Sequence, residues 1–410
     1  MNRYASSVIF YGAGEKAEFY TRILKKRGIS PICFVDRNEF KQGTTICGKE
    51  ILSLNKALQL YPNSQIFITV APERWNSVSK YLVGTGLVAE ERILNFQIGK
   101  KYKGCYNIEN QMALANNGIT FCCVPNNQPR MRIETNNIDI SKEFIKFRAD
   151  TIAQINSDSR DGLCSGCSHF SDNYWVEEGN NKINRLELNF ESICNFDCIY
   201  CVCEWRDNKM SNQIVPDYAA ILDNLDKANL LDNEGFEIYF GGGEPTLLPN
   251  ADVTFRALGK YQLLVFTNGS IFNKELANAL QANQKSCIVS SVDAGTRETF
   301  MKIKQRDCFK IVCENLEKYT YYGKVILKYI FLPGINDNDI DIRGFVALCD
   351  DMKINEVRVA RDIYAFANKE QLPNNTINAM KCMVGMLKEK GISTKAMGEM
   401  SQKDLEELML

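Results

Sequence analysis

Residues 185–203 read RLELNFESICNFDCIYCVC, a short β-rich run followed at once by four cysteines in ten positions, Cys194, Cys198, Cys201 and Cys203. Three thiols spaced CxxxCxxC in one loop can wrap a single compact metal center, and thiolate ligands favour zinc, copper(I) or an iron-sulfur cluster. A structural zinc site usually draws on two separated pairs and fills all four positions. Here the chain's one histidine, His169, lies outside the run, so a center with one open position fits the triplet better.

The β-rich runs continue beyond this point. RLELNF, FEIYF, QLLVFT, CIVSSVD, VILKYIF and EVRVARD recur at spacings that leave room for a helix between them. Alternating strand and helix builds a parallel sheet, and six units predict an incomplete (β/α)6 TIM barrel over residues 186–372. Glycine-rich or polar turns follow the strands: Gly241-Gly242-Gly243-Glu244-Pro245, Thr267-Asn268-Gly269, Ser291-Val292-Asp293-Ala294-Gly295 and Leu332-Pro333-Gly334-Ile335-Asn336. Barrel chemistry sits at the C-terminal ends of strands, so one rim would collect all of these turns.

With Tyr200 as the aromatic before the last cysteine of the triplet, and with GGGEP, TNG, SVDAG and LPGIN in this order, residues 186–365 resemble the radical S-adenosylmethionine (SAM) superfamily. The resemblance implies that Cys194, Cys198 and Cys201 hold three irons of a [4Fe-4S] cluster, and that the amino and carboxylate groups of SAM chelate the fourth. It implies reductive cleavage of SAM to a 5'-deoxyadenosyl radical that abstracts hydrogen from a small-molecule substrate, with electrons from an external donor such as flavodoxin or ferredoxin. By the same resemblance Gly242 and Gly243 leave room for the methionine end, Glu244 accepts from its ammonium group, Asn268 lies in the cofactor rim, Ser291 and Asp293 meet the ribose or aminoacyl part, and Tyr200 and Ile335 touch adenine. A helix-capping turn after a strand is the competing reading of Ser291 and Asp293. Lys328 and Arg361 lie near the rim, where either could meet an anionic group.

The chain has sixteen cysteines in 410 residues. Its N-terminal apolar run is too short for a signal peptide, and no segment reaches membrane-spanning length, which predicts a cytoplasmic protein with no membrane partner. A reducing compartment shifts grouped cysteines toward metal or redox work. Cys33, Cys47, Cys287, Cys308, Cys313, Cys349 and Cys382 stand alone and read as core filler. Cys122 and Cys123, with Cys164 and Cys167, supply four thiols to residues 99–185, an irregular turn-rich connecting module, and predict a second [4Fe-4S] cluster or a zinc site. With 49 basic against 50 acidic residues, no net field draws nucleic acid.

Residues 1–98 alternate strand and helix and predict a Rossmann-like doubly wound parallel sheet. Gly12-Ala13-Gly14-Glu15-Lys16-Ala17 lies between strand VIFY and an amphipathic stretch, with Asp36 ending the next strand. In the dinucleotide-binding fingerprint Gly12 allows the turn, Gly14 lets amides approach a phosphate and Asp36 accepts from a ribose hydroxyl. The order GAG, FVD, GKEILSL, IFITVAP resembles the N-terminal domain of sugar O-acyltransferases, which implies a nucleotide or nucleotide-sugar ligand. Residues 373–410 read as C-terminal helices. The combined expectation is a radical SAM enzyme that epimerises or dehydrogenates a nucleotide-linked sugar or polyol. The alternatives are a radical SAM peptide maturase with an auxiliary cluster, and a non-catalytic metal-cluster scaffold with a nucleotide-sensing N-terminal domain.

Overall fold

VIFY, CFV and QIFI are apolar at successive positions, so both faces of these strands must be covered, as in a parallel sheet with helices on each side. The computed structural model describes the chain apart from residues 1–7, 26–28, 71–73, 95–99, 116–117, 122–140, 157–170, 176–181, 190–192, 202–216, 233–234, 363, 366–369, 398–399, 401–404 and 407–410. The chain divides into two compact units.

The first unit carries β1 (Val8–Tyr11), α1 (Glu15–Lys25), β2 (Pro31–Val35), β3 (Thr45–Ile46), β4 (Lys49–Leu52), α2 (Leu54–Leu60), β5 (Gln65–Ile68), α3 (Trp75–Gly84) and β6 (Ile93–Leu94). The sheet order is β3-β4-β2-β1-β5-β6, parallel throughout except for the β3–β4 pair. Alternate residues serve the two faces. Phe10, Phe34 and Phe67 stack on one, where Tyr20 of α1 meets Phe67 at 5.3 Å. Ile9, Cys33 and Ile66 pack on the other with Ala57 of α2 and Leu82 of α3. The doubly wound arrangement expected for residues 1–98 is therefore present. Strands β7 (Lys100–Gly104) and β10 (Ser171–Trp175) form a separate antiparallel pair.

The second unit begins with α4 (Tyr106–Asn110), β8 (Gln111–Ala115), β9 (Gly118–Thr120) and α5 (Ser141–Ile155). The six expected strands follow: β11 (Arg185–Asn189), β12 (Glu237–Gly241), β13 (Gln262–Phe266), β14 (Cys287–Ser291), β15 (Lys324–Phe331) and β16 (Glu356–Arg361). Between them run α6 (Tyr218–Lys227), α7 (Ala251–Leu258), α8 (Lys274–Ala282), α9 (Arg297–Lys304), α10 (Phe309–Thr320) and α11 (Asp339–Asp351), and after them α12 (Asn374–Glu389) and β17 (Ser393–Ala396). The sheet order is β17-β16-β15-β14-β13-β12-β11-β8-β9, with only β9 antiparallel to its neighbour.

Two boundaries differ from the sequence reading. Strand β8, placed there in the connecting module, pairs in parallel with β11 and extends the barrel sheet; its run QMALA lacks the β-branched residues that mark a strand. The tail assigned to helices also contributes β17, whose run STKA has no apolar pattern and is held by pairing with β16. Among the lone cysteines, Cys33, Cys287 and Cys349 are buried, but Cys47 and Cys382 are exposed and fill no core.

Alternation along the barrel strands separates an outer layer from an inner one. Phe240, Leu263, Val265, Ile288, Leu327 and Val357 are wholly or almost wholly buried. Tyr239, Leu264, Phe266, Cys287, Val289, Ile326 and Met397 form the opposite cluster. Helix starts are fixed by side-chain caps: Thr296 accepts from the Thr299 amide at the start of α9, and Asn338 accepts from the Asp341 amide at the start of α11. Both caps stand beside the rim.

Candidate functional site at the C-terminal rim of the barrel

The loop after β11 is held mainly through its backbone. The Ile193 carbonyl accepts from the Glu244 amide at 2.7 Å, the Asn195 carbonyl from Arg306 Nε at 2.9 Å, and the Cys201 carbonyl from the Tyr364 hydroxyl at 3.1 Å. The Asp197 and Ile199 amides donate to the Lys304 and Ile303 carbonyls at 3.2 and 3.0 Å. These belong to the last turn of α9, whose carbonyls have no partner within the helix. The loop thus caps a helix and is positioned by it.

Cys194, Cys198 and Cys201 are partly exposed on this loop. Burial pushes the Cys194 thiol up to about 11, against the pull of the Phe196 amide, which donates to its sulfur at 3.5 Å. Asn268 Nδ2 also lies 3.8 Å from that sulfur. Burial likewise raises the Cys198 thiol, with the Lys304 ammonium opposing it. Thiols raised in this way become thiolates when a metal center supplies the compensating positive charge. A tetrahedral zinc ion with bonds of ~2.3 Å would draw its sulfurs to roughly 3.8 Å from one another. Among the described residues no three cysteine, histidine or acidic side chains converge on a single ion position. Three partly exposed thiols on one loop can each attach to a different metal of a multinuclear center.

The next loop brings Gly242 and Gly243 against the first. Their φ values, +80° and +137°, lie in the region that favours glycine. Glu244, expected to meet an ammonium group of a ligand, is 1% exposed. Its Oε1 accepts from the Thr246 amide (3.1 Å), the Thr246 hydroxyl (2.6 Å) and the Thr267 hydroxyl (2.8 Å), and its Oε2 accepts from the Asn268 amide (2.5 Å). The carboxylate therefore ties the loop after β12 to the loop after β13. Asn268 in turn donates to Asn195 Oδ1 at 2.8 Å and so joins the cysteine loop.

Asp293 is likewise held by its neighbours. It is fully buried at φ +59°, its Oδ1 accepts from the Ile330 amide at 2.7 Å, and its Oδ2 accepts from the Tyr200 hydroxyl and from Lys304. Ser291 stays partly exposed at the end of β14, in register with Lys328 of β15. Tyr200 and Ile335, both assigned to adenine, are brought together against Ile303, Ile330, Leu332 and Ala360. Burial, and then the Asp293 carboxylate, push the Tyr200 phenol well above its ordinary range.

Two site residues were not identified from sequence. Lys304 at the end of α9 reads as a solvated helix terminus, yet it is 2% exposed and paired with Asp293. Asn336 was read only as the end of a turn motif. It is fully buried, donates to the Asp293 and Ile330 carbonyls, and accepts from the Leu332 amide and, at its carbonyl, from the Tyr329 hydroxyl.

Below the rim the sheet carries charge. Arg185 binds Glu237 at 2.9 Å, and Glu356 receives Lys324 (2.7 Å), Lys395 (2.9 Å) and Arg358 (3.1 Å).

In the first unit Gly12 has φ +110°, and a Cβ there would meet Val70 Cγ1 at 2.8 Å. The turn after β1 needs this glycine. Gly14 has open space around it. Asp36, expected at a ribose, accepts from the Ala13 amide at 2.8 Å and the Asn38 amide at 3.0 Å, so its carboxylate fastens the turn. Cys122, Cys123, Cys164, Cys167, His169 and Cys203 lie outside the described residues.

Residues 188–346 match the Radical SAM superfamily. The GTP 3',8-cyclase of Nautilia profundicola is 29% identical over 171 residues, 40% of this chain and 52% of that protein. The GTP 3',8-cyclase of Synechocystis is 27% identical over 205 residues, 48% of this chain and 60% of that protein. The chain thus spans between half and three fifths of these curated relatives. Among solved structures, Streptococcus suis SuiB bound to S-adenosylmethionine is 14% identical with a TM-score of 0.41, over 71% of this chain and 72% of that one. The matched segment is thus similar to a domain type built around a [4Fe-4S] cluster and SAM. No described helix is long and apolar enough to cross a membrane.

Proposed function

We propose that the protein is a radical SAM enzyme acting on a small molecule that carries a nucleotide. What carries this reading is the placement of Cys194, Cys198 and Cys201 on one partly exposed loop, joined through Glu244 and Asn268 to the glycine turn and the loop after β13. When bound, the cluster and SAM supply reductive cleavage of the sulfonium and a 5'-deoxyadenosyl radical that removes hydrogen from substrate.

The chain's own groups would hold and orient these partners. The three thiols bind the cluster, and Asn268 orients Cys194 as an outer partner. Gly242 and Gly243 present bare backbone to the aminoacyl end of SAM. Tyr200 and Ile335 offer an apolar wall to adenine. Ser291 and Lys328, in register at the rim, face the polar part of the ligands.

A nucleotide as substrate accords with the similarity to GTP 3',8-cyclases. The expectation of a nucleotide-linked sugar or polyol is one form of such a substrate. Gly14, at the open start of α1, is proposed as the approach for a nucleotide phosphate in the N-terminal unit. Cys122, Cys123, Cys164 and Cys167 are proposed to hold a second center, either iron-sulfur or zinc.

The test is anaerobic reconstitution with iron and sulfide, then dithionite and SAM, with 5'-deoxyadenosine measured by chromatography. A colourless, iron-free chain that releases none overturns the reading. Thermal shift against GTP and UDP-, CDP- and GDP-sugars identifies the ligand class, because a true ligand stabilises the native state by mass action. Iron content separates one cluster, about four atoms per chain, from two, about eight.

A further inference from the structure

Tyr11 ends β1 and pairs in register with Val35 of β2. Its side chain clusters with Ile9, Leu52, Ala57 of α2 and Leu82 of α3, so it lies on the side of the sheet that these two helices cover. The residue is 4% exposed, and its hydroxyl is buried with no hydrogen-bond partner among the described residues. An unpaired buried hydroxyl would be relieved by an acceptor brought in by a ligand. Burial, and then Tyr81, push the phenol up to about 12 against the pull of Arg37, so at neutral pH the group carries its proton and can donate it.

Arg37 follows Asp36 directly after β2 and lays its guanidinium over the Tyr81 ring of α3, 4.7 Å from the ring center. Among the described residues no ion pair or hydrogen bond engages its N–H groups. Stacking on an aromatic ring orients the planar fork in advance and leaves its edge donors available. Asp36 holds this arginine beside the glycine turn, because its carboxylate accepts from the Ala13 amide. Phe40, three residues further on, is 82% exposed and offers an aromatic face.

These residues gather at the carboxyl edge of the sheet. From β1 the chain runs outward to β2 and β4, then returns past β1 to β5. In open α/β sheets, ligands bind outside the carboxyl ends of the strands where the order reverses in this way. A hydroxyl and a guanidinium that both donate suit an acceptor-rich anion, and guanidinium–phosphate pairs are among the strong hydrogen bonds.

We propose that Arg37 and the Tyr11 hydroxyl bind a phosphate of a nucleotide at this edge, with Phe40 supplying a face for the base. The inference deepens the nucleotide reading of the first unit and rests on it.

The experiment is isothermal titration calorimetry on the full chain, reconstituted anaerobically, with UDP, GDP and inorganic pyrophosphate as the probes. Arg37→Gln is expected to weaken pyrophosphate and at least one of the two nucleotides about 10–100-fold, and Tyr11→Phe about tenfold. Phe40→Ala should weaken the nucleotide about tenfold and leave pyrophosphate unchanged. Lys56→Met, an exposed site paired with Glu50, is the control and should bind like wild type. Because the Tyr11 hydroxyl pairs with nothing in the fold, Tyr11→Phe without nucleotide should unfold at a urea concentration equal to or above that of wild type. A lower midpoint with nucleotide affinity intact marks a purely structural tyrosine and overturns the proposal. Wild-type affinity retained in both Arg37→Gln and Tyr11→Phe defeats this inference alone, whereas a wild type that binds none of the probes defeats the nucleotide reading of the first unit with it.

Discussion

Gly295 and Gly344 meet backbone to backbone: a Cβ on Gly344 would lie 2.4 Å from the Gly295 carbonyl oxygen, and one on Gly295 only 2.1 Å from the Asp341 carbonyl oxygen. This approach docks α11 on the turn after β14, where Asp341 accepts from the Gly295 amide and from the Thr296 and Thr299 hydroxyls. Gly295→Ala is expected to cost about 1–3 kcal/mol, since neither backbone can retreat. Gly385, inside α12 with open space around it, is the contrast, and Gly385→Ala should stabilise by about 0.4–1 kcal/mol. Urea unfolding of the two variants checks both signs.

Replacing any one of Cys194, Cys198 and Cys201 with serine should abolish 5'-deoxyadenosine formation and remove the rim cluster, about four irons per chain. The exposed Cys47 and Cys382 are the controls, and serine at either should leave iron content and product unchanged. Iron assay and chromatography read both effects.

Asn268 bridges Cys194 and Asn195 and fixes the loop after β13 to the cysteine loop. Outer-shell partners of metal ligands typically contribute 10–100-fold in affinity. Asn268→Ala should therefore lose iron to a chelator at a concentration about 10–100-fold lower than wild type, with the secondary structure seen by circular dichroism retained.

Acid should expose the role of Glu356. Burial by itself would raise its carboxyl, but hydrogen bonds from Lys324 and Lys395 outweigh burial and hold it at about 2. In the unfolded chain a glutamate titrates near ~4.3. Because the folded value is the lower one, the stabilisation is fully present above the unfolded value and is lost as the pH falls toward about 2. Glu356→Gln should accordingly be less stable than wild type at neutral pH, and the gap should narrow between about pH 4.3 and pH 2. Denaturation midpoints across that range supply the measurement.

The parts of this site that could be read in the residue order were those written locally. The cysteine triplet occupies eight positions, and each rim turn directly follows a strand whose apolar run, such as VILKYIF, announces a buried parallel element. Lys304 lies 104 residues from Tyr200 in a polar stretch, KIKQR, that gives no sign of docking under another loop. Glu244 and Asp293 were recognised as important, but the loops they join were not legible, because a motif shows that a carboxylate is present without showing which donors surround it. Asp36 illustrates the same limit, since its motif did not announce the two backbone amides that donate to its carboxylate. Strands β8 and β17 were missed since each depends on pairing with a stronger neighbour rather than on its own composition.

The nine-stranded sheet ends in β9, three residues long, and in β17, four residues long with Lys395 engaged by Glu356. Abbreviated borders of this kind, one carrying a charge, offer a poor template for strand addition by another copy. Among the described residues, the two segments least conspicuous in the chain thus leave little unpaired backbone at the ends of a large parallel sheet, a kind that assembles slowly.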